Sequence, residues 1–191
     1  MLDTKFWQKV FTDQATNDSS RRKIIGESAG ALHLAKQTIF SLQRDNVKEA
    51  DEKFKASLTA LVSLEKRFGG NGKLRGEGSW KAAVEEFVEA KLFFDFYQGK
   101  KVGGIKEIYV EPDEYIGGLS DLTGEMLRMM ILWTSRGKID KVKETGKAID
   151  EVIHDLLQNN LSGYLRTKFD QAKKNLQKAE SILYDLSIRD K

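Results

Sequence analysis

The stretch Pro112-Asp113-Glu114-Tyr115-Ile116-Gly117-Gly118-Leu119-Ser120-Asp121-Leu122-Thr123-Gly124-Glu125-Met126-Leu127-Arg128-Met129-Met130-Ile131-Leu132-Trp133 decides the fold class. Tyr115, Leu119, Leu122, Met126, Met129 and Trp133 recur at alternating spacings of four and three, the period of a helix with one apolar face. Proline in the first turn, followed by two acids, suits the donor-rich, electropositive start of a helix. Beside the apolar stripe runs a second row, Gly118, Asp121, Glu125, Arg128 and Leu132, which brings two carboxylates to the edge of a core.

The preceding helix repeats the anomaly. Ser79 is its expected cap, and it is rich in aromatics: Trp80, Phe87, Phe93, Phe94, Phe96 and Tyr97. Its stripe Ala82, Glu86, Glu89, Phe93, Phe96 carries two acids in an otherwise apolar row, while Lys81 and Glu85 read as a solvated i,i+4 pair. Unpaired carboxylates facing a core are costly and must be protonated, ion-paired or bound to a cation. A hard divalent ion such as Mg²⁺ satisfies several oxygens at once, so the four acids point to metal-assisted chemistry. The competing reading is an ion-paired bundle interior, in which Arg128, three residues after Glu125, neutralises it.

Helical periodicity extends over nearly the whole chain. A short first helix (Leu2, Phe6, Val10) is expected to end at a polar break, Asn17–Ser20, which would cap a second carrying Ile25, Ser28, Leu32, Ala35, Ile39 and Leu42 and ending near Arg44. Asn46 is the expected cap of a third, with Val47, Ala50, Phe54, Leu61, Leu64 and Phe68, stopped by Gly69-Gly70-Asn71-Gly72. Gly103-Gly104 breaks the chain again, and Ile105–Val110 suits a brief extended segment. Gly137 precedes a helix with Val142, Ile149, Val152 and Leu156; Ser162-Gly163 marks a joint. The last helix keeps a 4/3 pattern through Leu165, Phe169, Ala172, Leu176, Ala179, Leu183 and Leu186, with Lys168, Lys173, Lys174 and Lys178 on its other faces. The expectation is one all-α domain over residues 1–191, a bundle of six to seven helices.

Composition narrows the chemistry. With 191 residues, 40% apolar, 32% charged and a single proline, the chain suits long helices and one large core. It has no cysteine, which excludes disulfides, Cys-ligated zinc and thiol catalysis. His33 and His154 read as structural or surface histidines, and neither follows a glutamate at Glu-x-x-His spacing, so a di-iron bundle is set aside. Trp7, Trp80 and Trp133 fit core or interface positions. The start Met-Leu-Asp-Thr-Lys-Phe-Trp lacks a signal-peptide run and no 18-residue apolar stretch occurs, so a cytoplasmic protein with no membrane association is expected. The net charge of +3 does not by itself announce a nucleic-acid binder. The fourth helix is apolar on nearly all sides, which implies burial within the bundle or between subunits, and hence self-association.

Three stretches also resemble a known family. Glu86-Phe87-Val88-Glu89-Ala90, the run Tyr115–Met129 and Lys36-Gln37-Thr38-Ile39-Phe40-Ser41-Leu42-Gln43-Arg44 are similar, in order and approximate spacing, to the translin family and specifically its factor X (TRAX-like) branch, over roughly residues 18–187. The Asp-Leu-Thr-Gly-Glu stretch is fairly specific; Glu-x-x-Glu alone is weak. The resemblance implies an all-helical fold assembling into a closed, octamer-like shell that encloses RNA or single-stranded DNA. It also implies a Mg²⁺-dependent endoribonuclease site (Mn²⁺ as a substitute) with catalytic carboxylates Glu86, Glu89 and Asp121, and Glu125 as a further metal ligand. The chain departs from larger members in having only Gly99–Glu111 between the two acidic motifs and a smaller, more apolar Glu27–His33. Those departures suit a compact homo-oligomer, with a translin-type partner subunit as the alternative composition.

On that reading the cleavage of single-stranded or short structured RNA would use one or two Mg²⁺ ions to bind a phosphate oxygen and acidify a water, with a remaining glutamate to orient it. Candidate RNA contacts are Arg21, Arg22, Lys23, Lys36 and Arg44, and Lys66, Arg67, Lys73 and Arg75 around the glycine loop, which is no Walker motif. Two alternatives stand beside it: a non-catalytic single-stranded RNA/DNA-binding shell with structural acids, and a helical adaptor that binds only protein.

Overall fold

The computed structural model describes residues 2–189, all of whose regular structure is helical. In chain order the elements are α1 (Thr4–Gln43), α2 (Val47–Phe68), a short 3₁₀ turn (Gly69–Asn71), α3 (Lys73–Gly76), α4 (Gly78–Tyr97), α5 (Pro112–Ser135), α6 (Ile139–Leu157) and α7 (Gly163–Arg189). The all-α expectation of six to seven helices holds among the described residues. No helix there is long and apolar enough to cross a membrane.

The packing order explains why the acids of α4 and α5 meet. α4 lies between α1 and α5; α2 covers α1, and α6 and α7 close the other side against α5 and each other. Helix α4 is buried on most of its circumference, with Trp80, Phe87, Phe93 and Leu92 fully enclosed. Phe87 stacks on Phe54 of α2 with ring centroids 5.0 Å apart. The α4–α5 contact is close because two glycines of α5 face it: a Cβ on Gly118 would come within 2.7 Å of Val88 and 2.8 Å of the Glu85 carbonyl. The α1–α2 contact is equally tight, with Ser57 Oγ donating to the Ala31 carbonyl at 2.9 Å beside fully buried Ala31 and Ala35.

Local signals behave largely as the sequence suggests. Asn46 caps α2, its Oδ1 accepting from the Glu49 amide at 3.3 Å. Before it, Asp45 turns the chain with φ +61° and is gripped by Tyr97 and Arg136, each at 2.5 Å. Burial first, then that hydrogen bond, push the Tyr97 hydroxyl up to about 12. Pro112 does open α5, where Glu114 accepts from the Glu111 amide at 2.9 Å in a reciprocal cap. Gly72, Gly137 and Gly163 take the positive φ that their turns need.

Several expectations are corrected. Asn17–Ser20 does not break the chain: α1 runs uninterrupted for 40 residues, because the run holds neither proline nor glycine and Asn17, Asp18 and Ser19 are exposed, with Gln14 donating to Asp18 at 2.9 Å. The buried stripe of α1 runs through Ile24, Ser28, Ala31 and Ala35, with Ile25 left 39% exposed. Ser79 is not the cap of α4; the helix starts at Gly78 after Glu77, and the Ser79 hydroxyl is buried without a partner. Ile105–Val110 forms no strand, and α3 appears where only a glycine stop was expected. The first turns of α1 leave Leu2, Phe6 and Phe11 at 60–71% exposure, so Trp7 beside them lies outside the core of the chain.

Candidate metal centre and nucleic-acid interface

Glu86, Glu89 and Glu125 open into one cleft of about 400 Å³, lined also by Lys36, Ile39, Phe40, Gln43 and Arg128. Asp121, one turn before Glu125 on α5, completes the group, since Glu86 and Glu89 each feel both α5 acids electrostatically. The two pairs thus share a neighbourhood between α4 and α5. Neither is a remote surface feature.

Burial shapes their chemistry. Glu89 is the most enclosed, and desolvation followed by Glu86, Asp121 and Glu125 raises its carboxyl well above the usual range, against the opposing pull of Lys168. Among the described residues no side chain donates it a hydrogen bond. Desolvation also raises Glu86, against the pull of Lys36, and Glu125, against Arg128 and a hydrogen bond from Gln43. Asp121 is raised by desolvation despite a hydrogen bond from Lys168. In all four, burial therefore disfavours the ionised form, and the neighbouring cations do not offset that.

As they stand, the acids turn toward separate partners. Lys36 lies 3.7 Å from Glu86, Lys168 holds Asp121, and Gln43 holds Glu125. Accordingly no three acidic or histidine side chains are posed, among the described residues, to grip one cation between them. The donor set is nevertheless all oxygen, negatively charged in excess and partly desolvated, which suits a hard divalent ion rather than a soft one.

Three participants escaped the sequence reading. Glu85 is not a solvated partner of Lys81: it receives Lys168 at 2.8 Å and the Tyr164 hydroxyl at 2.6 Å. Lys168, expected on an outer face of α7, is instead drawn between Glu85 and Asp121, its charge stabilised by those bonds against the opposing effect of burial. Gln43, at the end of α1, reaches across to donate to Glu125 on α5. These contacts join residues 47 to 83 positions apart, and nothing local in the sequence signals them.

The cationic candidates divide. Lys36 stands at the cleft, and Arg44 lies over the half-exposed Phe40 ring, 5.5 Å from its centroid. Arg22, Lys23 and Lys66 are exposed. Arg21 pairs with Glu77 at 2.9 Å, Arg67 with Glu27, and Lys73 donates to Asn17. Arg75 is enclosed by Glu65 at 2.5 Å, the Tyr109 carbonyl and the rings of Trp80 and Tyr109, contacts that pin the glycine loop. His33 is exposed beside Gln37, and His154 is exposed on α6; neither reaches the acids.

Comparison with known proteins bears on the family and the fold. Translin from Homo sapiens is 25% identical over 156 residues, spanning 74% of this chain and 68% of the human protein. Translin-associated protein X from Rattus norvegicus is 21% identical over 197 residues, spanning 81% and 68%. The fold matches the crystal structure of apo-NeC3PO with a TM-score of 0.84, at 20% identity over 95% of this chain and 96% of that one. It also matches the AfC3PO–duplex RNA complex with a TM-score of 0.80, at 16% identity and 98% coverage of both. The model of the Translin family matches residues 19–190, nearly the entire length: the chain belongs to the translin family.

Proposed function

We propose that this chain is a Mg²⁺-dependent endoribonuclease that cuts single-stranded or short structured RNA, working as one helical domain within a homo-oligomeric, octamer-like shell. The observation that carries the reading is Glu89, a carboxylate buried to 8% exposure among three others with no hydrogen-bond donor among the described residues. A structural role would be expected to provide such a group with a partner. A waiting cation site does not need one.

Glu86, Glu89, Asp121 and Glu125 would hold the ion, which when bound supplies charge for a phosphate oxygen and acidifies a water. The remaining work falls to this chain's own side chains. Lys36 and Arg128, at the cleft, can receive phosphates on either side of the scissile one. Phe40 is 51% exposed at the same cleft and offers a base a stacking face. Burial keeps the Glu86 carboxylate more basic than a solvated one, which suits a proton acceptor once ionised. The duplex RNA bound by the AfC3PO neighbour supports the substrate class. The exposed apolar start of α1 supports assembly, with a translin-type subunit as the alternative partner.

The second reading is a non-catalytic RNA- or single-stranded-DNA-binding shell, favoured by the ion pairs that already engage Asp121 and Glu86. An end-labelled RNA oligonucleotide separates the two. Incubated with wild type in Mg²⁺ it should yield product, while EDTA or Glu89→Gln abolishes product and leaves a gel shift. Equal cleavage under all three conditions would remove the proposal; retardation without any product would establish the alternative.

A further inference from the structure

We infer that Lys168 is a built-in counter-ion of the acidic cleft, one that holds Asp121 until a divalent cation displaces it onto Glu85 and Tyr164. The inference rests on the proposed reading of the cleft as a cation site, and it concerns what regulates cation entry there.

The geometry is that of one cation with two seats. Lys168 Nζ bonds Asp121 Oδ2 and lies 2.8 Å from Glu85 Oε1. Neither Asp121 nor Glu85 lines the cleft itself, but Asp121 is among the charges that act on Glu89, and Glu85 is not. The Glu85 seat is constructed. Tyr164, four residues before Lys168 on α7, donates its hydroxyl to Glu85 at 2.6 Å, and its ring lies 5.3 Å from Nζ. Gly117 of α5 makes the space, since a Cβ there would come within 2.3 Å of Glu85 Oε2. Lys168 and Glu85 are largely enclosed, with side chains 21% and 15% exposed, so their attraction is weakly screened.

An ammonium has three donors, so Lys168 can lose Asp121 and keep Glu85 and Tyr164. A divalent ion among the four acids repels an ammonium in the same neighbourhood, and the repulsion falls as the lysine withdraws to its outer seat. The arrangement of the acids is consistent with this: Asp121 is engaged by Lys168, and among the described residues no three acids are grouped to grip one cation. Lys168 thus sets the threshold for divalent binding. It acts through Asp121 as a positioning residue.

Mn²⁺ titration of the full chain, read by isothermal calorimetry and by the loss of the free-ion EPR signal, tests this with Lys168→Met, Glu85→Gln, the double variant and Glu89→Gln. Lys168→Met should bind Mn²⁺ about tenfold more tightly, the effect of removing one half-enclosed competing charge. Glu85→Gln should weaken binding, because the displaced lysine loses its outer seat, and the double variant should return to the affinity of Lys168→Met. Loss of a merely structural contact would not tighten binding. If Lys168→Met binds equally or more weakly while Glu89→Gln loses binding, the counter-ion role is overturned and the metal centre stands. If wild type binds no Mn²⁺, or Glu89→Gln binds as wild type does, the metal centre fails and takes this inference with it.

Discussion

Replacing Glu89 by glutamine should make the cation-free protein more stable while removing its response to Mg²⁺. Glu89 is 8% exposed and is raised by burial and by Glu86, Asp121 and Glu125, with Lys168 as an opposing favourable charge. An uncompensated buried charge costs several kcal/mol. Glutamine keeps the shape but still buries an amide at roughly 1–3 kcal/mol, so the net gain is about 1–2 kcal/mol. For a chain of this length that is a rise in melting temperature of about 3–6 °C. The assay is thermal unfolding by circular dichroism in EDTA and in Mg²⁺. Wild type should rise in Mg²⁺, by about 2.7 kcal/mol at a hundredfold excess over Kd, and the variant should not. The order of the two proteins therefore reverses between the two buffers. A variant that melts below wild type in EDTA, or that Mg²⁺ still stabilises equally, would refute the reasoning.

Three further outcomes follow from the same structure. Glu86, Glu89, Asp121 and Glu125 all have raised values, so the folded state holds their protons more tightly. Stability in EDTA should therefore rise as pH falls from neutral toward the ordinary carboxylate range, with a shallower slope in Glu89→Gln, by urea midpoints. Below about pH 4 the trend should reverse as Asp45, held low by Tyr97 and Arg136 despite burial, takes up its proton. Gly118→Ala should destabilise by about 1–3 kcal/mol in urea unfolding, because its Cβ meets Val88 and a backbone carbonyl that cannot swing away. Lys36→Ala and Arg44→Ala should each flatten the slope of log affinity against log salt for a single-stranded RNA by about 0.7 in a filter-binding assay, whereas Arg75→Ala should instead lower stability.

Helix type and order were legible because apolar spacing is a local property. The 4/3 rows of α5 and α7 survive as buried faces, and the glycines at 72, 137 and 163 carry the positive φ of their turns. The acids were legible for the related reason that charge inside an apolar row is conspicuous. Asn17–Ser20 misled because polar side chains stop a helix only when the backbone has another partner to offer, and α1 simply passes through. Phase was less secure than period: Ile24, not Ile25, is the buried residue. Lys168, Glu85 and Gln43 were beyond sequence reach, since each acts through an element distant in the chain. A lysine on a helix surface and one drawn between two carboxylates look alike until α7 is packed on α5.

The central claim is that both acidic pairs close on a shared cation. Crystals soaked in Mn²⁺, with anomalous density computed at the manganese edge, address it directly. A peak between α4 and α5 within bonding reach of Glu89 and of at least one α5 acid, with Asp121 released from Lys168, is the predicted result. Density only at scattered surface carboxylates, with Glu89 still unaccompanied and Lys168 still on Asp121, would contradict it.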